Sequence, residues 1–131
     1  MSANKNVLIV TDGQKSIDLI AKSIKKELTG CDTGLNNADK FSGTTLLAAE
    51  TFFLGCEKPN PDSFAYLGEM LSHINLASRK CGIFSTNEES LDYLRSLVKD
   101  CEAACGEPLL VTDDKVDASV IKNWVNSILK Q

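Results

Sequence analysis

The sequence predicts an α/β fold, a parallel sheet with helices on both faces. Three observations carry this. Short runs rich in apolar β-formers recur at residues 7–10, 51–54, 80–85 and 108–111. Between them, apolar residues recur at helical spacing over stretches too long for a strand. The two patterns alternate along the chain, as βαβ units with right-handed crossovers do. The 131 residues suffice for one domain, spanning 1–131, with its own core. No repeat, linker or low-complexity segment divides it.

Residues 7–10 form a continuous apolar run, a first strand buried on both faces. The tight loop Thr11-Asp12-Gly13-Gln14-Lys15-Ser16 follows. Ile17, Ile20, Ala21, Ile24 and Leu28 then share one helical face. Ser16 is the candidate N-cap, Lys25 and Lys26 suit the C-terminal dipole, and Gly30 stops the helix. A parallel sheet needs a second strand within 31–36, where Gly34 and Asn36 weaken the pattern. Residues 41–49 read either as a helical turn or as the start of the next strand.

The chain is organised around residues 51–67. The apolar run 51–54 is too short for a helix and reads as a central strand ended by Gly55. Pro59 and Pro61 hold an exposed turn, and Asp62 or Ser63 caps a helix starting near Phe64. In open α/β sheets, ligands bind at the carboxyl ends of the strands. Residues 56–61 are therefore expected in the wall of any site.

Phe64, Leu67, Met70, Leu71 and Ile74 form the next helical stripe. Lys80–Ser85 is the fourth strand. Asn87, followed by Glu88 and Glu89, is a helix start with a capping side chain and first-turn acids. Leu91, Leu94, Leu97, Val98 and Cys101 line a long helix ended near Gly106. Residues 108–111 give the fifth strand. Asp113, Asp114 and Lys115 make a turn and N-cap. Val116, Val120, Ile121, Trp124, Val125, Ile128 and Leu129 form a last amphipathic helix.

An apolar content of 43% and a charged content of 24% place the chain among ordinary globular proteins. A net charge of −4 argues against nucleic-acid partners, which require a basic face, and fits partners with basic surfaces. No apolar run approaches the roughly 18 residues of a membrane span, and no signal segment is evident. The expected location is the cytoplasm. Cys31, Cys56, Cys81, Cys101 and Cys105 are odd in number and lack a Cys-x-x-Cys pair, so neither a disulfide framework nor a zinc site is indicated. Cys101 and Cys105 are expected on one helix face as small packing residues.

Residues 49–84 carry a specific resemblance. Ala-Glu-Thr-Phe-Phe-Leu-Gly-Cys at the central strand, the helix from Phe64 to Ile74, and Leu-Ala-Ser-Arg-Lys-Cys-Gly-Ile-Phe-Ser from Leu76 are similar to the flavodoxin family. Glu-Pro-Leu-Leu-Val from Glu107 and the final helix are similar as well. The resemblance implies a three-layer flavodoxin-like fold with a five-stranded parallel sheet in the order 2-1-3-4-5. It implies FMN at the carboxyl edge, and electron transfer to redox partner proteins with basic surfaces. It places the cofactor against Thr11, Asp12, Gly13, Gln14, Lys15 and Ser16 after strand 1. Cys56, Glu57 and Lys58 face it after strand 3, and Ser85, Thr86 and Asn87 after strand 4. The family's Thr-x-Thr-Gly-x-Thr phosphate loop aligns on 12–17, with Lys15 near the glycine position and Ile17 at the last hydroxyl position. Residues 56–63 and 85–90 contain no aromatic residue to stack on the flavin ring.

Two other readings use the same residues. A flavodoxin-fold domain without flavin would act as a binding or regulatory module. A receiver domain shares the strand order, and residues 59–64 resemble its turn after strand 3. Its phosphoacceptor position is Gly55, however, which cannot be phosphorylated. The sequence shows no hydrolase triad and no paired catalytic carboxylates. Cys56 reads as a passive small residue, His73 as a helix-end surface residue and Trp124 as core.

Overall fold

The computed structural model describes residues 5–40, 43–112 and 116–130. Strand β1 (Lys5–Thr11) lies between β2 (Cys31–Asn37) and β3 (Thr51–Gly55), and β4 (Lys80–Ser85) lies beyond β3. Two short strands share the last position, β5 (Ala104–Cys105) and β6 (Leu109–Leu110), and both pair with β4. Every pairing is parallel, and the order is 2-1-3-4-5. The fifth strand expected at 108–111 is β6, while Ala104–Cys105, expected inside the preceding helix, forms the additional strand β5, with residues 106–108 between them. Gly106 still donates its amide to the Cys81 carbonyl at 3.3 Å. Pro108 has no N–H to donate, so the ladder resumes only at Leu109.

Among the described residues, five helices cover the sheet: α1 (Lys15–Glu27), α2 (Gly43–Ala48), α3 (Ala65–Leu71), α4 (Glu88–Val98) and α5 (Ala118–Leu129). Alternation along the strands divides the core in two. Val7, Ile9, Phe53 and Phe84 face α1 and α5, meeting Ile17, Ile20, Ile24, Ile121, Trp124 and Ile128. Leu8, Val10, Phe52, Leu54 and Ile83 face the other way, onto Leu46, Phe64, Leu67, Leu71, Leu91 and Leu94. The continuous apolar runs are therefore strands covered on both sides.

Strand β2 runs seven residues despite its glycine and asparagines, because β1 pairs with it from end to end. Neighbour pairing overrides a weak local preference here. Residues 43–48 adopt the helical one of the two readings for that stretch. Asn87 caps α4 as its sequence predicts, accepting the Ser90 amide at 2.8 Å.

Several boundaries differ from expectation. Ser16 is not the N-cap of α1. The Asp18 amide bonds the Gln14 carbonyl at 2.9 Å, so Gln14 holds the cap position and Ser16 lies in the first turn. Helix α1 stops at Glu27, before Gly30, which stands in the following turn at φ +83°. Neither Asp62 nor Ser63 caps α3. A 3-10 turn (Asp62–Phe64) precedes it, begun by the Phe64 amide on the Pro61 carbonyl. Helix α4 ends at Val98 and a 3-10 turn (Lys99–Cys101) follows, broken by Glu102 in the left-handed region at φ +64°. Cys101 and Cys105 therefore share no helix face. Cys101 is buried, while Cys105 sits on β5 opposite Cys81.

Asp117 caps α5, its Oδ1 accepting the amides of Ser119 (2.9 Å) and Val120 (3.3 Å). The turn expected at Asp113, Asp114 and Lys115 lies outside the described residues. Val120 leaves the expected apolar stripe, being 51% exposed. Trp124 belongs to the core, near Phe53 and Phe84, with Nε1 donating to the Glu107 carbonyl at 2.6 Å.

Candidate functional site

The register brings three strand ends level. Thr11 lies beside Gly55, and Gly55 lies beside Phe84. The chain leaves β1 toward β2 through α1, and reaches β3 on the opposite side of β1. The carboxyl edge between β1 and β3 is thus the topological switch point, the usual place for a ligand in such sheets. A cavity of about 360 Å³ opens there, lined by Gln14, Lys15, Ser16, Leu19, Ile20, Glu57, Thr86, Val111 and Val116. This volume lies at the small end of the range for small-molecule pockets.

The loop after β1 is fastened by its own side chains. Thr11 Oγ1 donates to Asp18 Oδ1 at 2.8 Å and accepts the Gly13 amide at 3.3 Å. Asp12 Oδ1 accepts the Gln14 amide at 3.1 Å, and its Oδ2 accepts the Glu57 amide at 2.8 Å. Gly13 turns at φ +81°, a conformation in which a side chain would be strained and would also overlap Asn37. Burial raises the Asp12 carboxyl above its usual 3.8; the amide bonds oppose this, and the nearby charge of Glu57 adds to it.

The loop after β3 is held from both neighbours. Its backbone leaves Gly55, where an added Cβ would overlap the Phe84 ring. The Cys56 carbonyl accepts the Ser85 hydroxyl at 2.6 Å. The Glu57 carbonyl accepts Asn87 Nδ2, also at 2.6 Å. The Glu57 carboxylate then reaches α1, where Oε1 accepts the Ser16 hydroxyl at 3.1 Å. Glu57 is therefore the joint of the site, tied to the loops after β1 and β4 and to the first turn of α1.

Of the residues expected at a cofactor, Gln14, Lys15, Ser16, Glu57 and Thr86 line the cavity. Thr11, Asp12, Gly13, Ser85 and Asn87 stand behind it and hold its loops in place. Cys56 is fully buried, and burial with the charge of Asp12 pushes its thiol up to about 12, so it stays a neutral packing group. Lys58 points into solvent. Residues 56–61 were expected to form the wall, but only Glu57 does so, because Cys56 turns inward and residues 58–60 are exposed.

The apolar wall was not foreseen. Leu19 and Ile20 are one turn into α1, and Leu19 is 50% exposed. Val111 is brought to the rim by its amide bond to the Ser85 carbonyl at 3.0 Å, and Val116 precedes α5. No local sequence signal marks this wall, since single exposed aliphatic residues are common. Among the described residues, no aromatic side chain lines the cavity. Tyr93 packs on Phe64 instead, in the core on the opposite face of the sheet. His73 is exposed, its Nδ1 2.8 Å from the Glu69 carbonyl, as expected of a helix-end surface residue.

No protein-family model matches the chain, and no curated protein sequence does. Solved structures do. A short-chain flavodoxin associated with a bacterial microcompartment aligns at TM-score 0.85 and 9% identity, over 98% of this chain and 98% of that one. A flavodoxin of Streptococcus pneumoniae aligns at TM-score 0.80 and 13% identity, over 95% and 97%. A Fusobacterium nucleatum flavodoxin mutant bound to flavin mononucleotide aligns at TM-score 0.76 and 12% identity, over 99% and 98%. At these identities the likeness establishes a flavodoxin-like fold.

Proposed function

We propose that the chain is a flavodoxin-like electron-transfer protein that binds a flavin in the cavity at the carboxyl edge. The observation that carries this is the cavity itself, at the β1–β3 switch point of a flavodoxin-like sheet. A neighbour in this fold is bound to flavin mononucleotide.

The lining fits one part of FMN and not another. Leu19, Ile20, Val111 and Val116 offer an apolar wall for a planar ring, and Gln14 and Thr86 offer hydrogen-bonding groups for its polar edge. Aromatic stacking, worth about 0.5–1.5 kcal/mol per contact, is missing from the lining among the described residues. The phosphate does not fit, because the carboxylates of Asp12 and Glu57 already engage donors at the start of α1. A bound flavin supplies the electron chemistry, and the protein binds, orients and shields it. The net charge of −4 supports docking on redox partners with basic surfaces. Among the described residues, no helix is long and apolar enough to cross a membrane.

The test is an absorbance scan after incubation with excess flavin, FMN and riboflavin separately, and removal of free ligand. Retained flavin bands support the carrier reading. A protein that retains neither flavin sinks it. That outcome favours the second reading, a flavin-free binding module, for which the internal pairing of Ser16 with Glu57 and the lack of ring-stacking aromatics already speak.

A further inference from the structure

We propose that Glu57 is a specificity-determining residue whose carboxylate takes the place of a ligand phosphate, so that the cavity prefers a phosphate-free flavin of the riboflavin type to FMN. This rests on the flavin reading above and concerns which flavin the site accepts.

The first turn of a helix has amides with no partner inside the helix, and these ordinarily attract an anion. In α1 the first i to i−4 bond is made by Asp18. The amides of Lys15, Ser16 and Ile17 come before it, beside the Ser16 hydroxyl. The Ser16 hydroxyl beside those amides already donates to Glu57 Oε1 at 3.1 Å, which sets the carboxylate at the place a ligand anion would approach. Glu57 is not a side chain swinging from a loose loop. Its amide is held by Asp12 Oδ2 at 2.8 Å and its carbonyl by Asn87 Nδ2 at 2.6 Å.

The loop amides that might replace the lost donor are also engaged. Gly13 donates to Thr11 Oγ1 and Gln14 donates to Asp12 Oδ1. Asp12, Asp18 and Glu57 thus gather around the start of α1, and Lys15 is the one cation in the cavity lining among the described residues. Burial is the main cause of the raised Asp12 pKa, and the charge of Glu57 adds to it in the same direction. A phosphate dianion would meet these carboxylates with like charge. The terminal hydroxyl of riboflavin is neutral and has a proton to donate, so the Glu57 carboxylate can accept from it. The same side chain repels one flavin and can hydrogen-bond the other.

Titration of the flavin-free chain with riboflavin and with FMN, followed by quenching of flavin fluorescence at roughly 0.15 M salt, tests the proposal. Riboflavin should bind at least as tightly as FMN. Glu57→Gln keeps the size of the side chain and removes its charge, so FMN should gain about tenfold relative to riboflavin, the scale of one relieved like-charge contact. Ser16→Ala is the second variant; it frees the Glu57 carboxylate from its partner without removing the charge, and FMN should remain disfavoured. The proposal is overturned if the unaltered chain binds FMN more tightly than riboflavin. It is also overturned if Glu57→Gln leaves the ratio unchanged. Either result with flavin bound leaves the carrier reading standing, whereas failure of both flavins to bind removes both.

Discussion

Asn87 ties Glu57 to the start of α4 through the two ends of one amide. Its Nδ2 donates to the Glu57 carbonyl at 2.6 Å, and its Oδ1 accepts the Ser90 amide at 2.8 Å. One side chain thus caps a helix and fixes the loop that carries the acid of the site. Asn87→Ala loses both and should cost about 1–2 kcal/mol, the usual loss of an N-cap. Asn87→Asp keeps the cap acceptor but has no N–H for Glu57. It should retain most of the stability in urea denaturation and, under the proposed function, bind flavin less well. Equal stability losses in the two variants would show that the cap is not what Asn87 contributes.

Ser85 carries the matching bond one residue layer deeper. It is buried, and its hydroxyl donates to the Cys56 carbonyl at 2.6 Å. Ser85→Ala leaves that carbonyl without its donor, which should cost about 1–3 kcal/mol. Chemical denaturation monitored by Trp124 fluorescence will measure it. A cost near zero would mean that solvent reaches the Cys56 carbonyl.

Gly55 is required by space. Its φ lies outside the left-handed region, but an added Cβ would overlap the Phe84 ring across the β3–β4 pairing. Gly55→Ala should destabilise by about 1–3 kcal/mol, as overpacked cores do. Combining it with Phe84→Leu should be less than additive, because the second change removes the overlapping atoms. Strict additivity in a double-mutant cycle would refute the clash.

The Cys56 thiol gives the fold an alkaline limit. Burial pushes its pKa from 9.0 to about 12, and Tyr93 is likewise raised from 10.0 to about 12. A raised folded pKa favours the neutral form in the native state. The associated stability is full below the unfolded pKa and is lost as pH climbs through the folded one. Stability should therefore decline from about pH 9 toward pH 12. Cys56→Ala should flatten part of that slope while costing some packing at neutral pH. An unchanged slope in urea titrations at successive pH values would remove Cys56 as a cause.

Most of the scaffold was legible because its signals are local. Ile17, Ile20, Ala21 and Ile24 mark the buried face of α1 by spacing alone, and all four are buried. Asn87 before Glu88 and Glu89 marks the start of α4, since capping uses groups within one turn. Boundaries were less legible. Strand β2 has weak local preference and exists through pairing with β1. The apolar run 108–111 marks β6, but β5 at Ala104–Cys105 carries no strand signal and exists through pairing with β4.

The site was legible only in part. Lys15, Ser16, Glu57 and Thr86 were foreseen at the cavity, since the carboxyl ends of β1, β3 and β4 must meet in this sheet order. The apolar wall was not, because Leu19 and Val116 carry no chemistry that singles them out in one dimension.

What the sequence determined by itself is the alternation of strands and helices, because periodic burial is written residue by residue. What only the tertiary structure decided is the chemistry between loops. Ser16 and Glu57 are 41 positions apart, and Asp12 and Glu57 are 45 apart. Their bonds exist because the parallel register sets Thr11 level with Gly55, and no short-range preference records that contact.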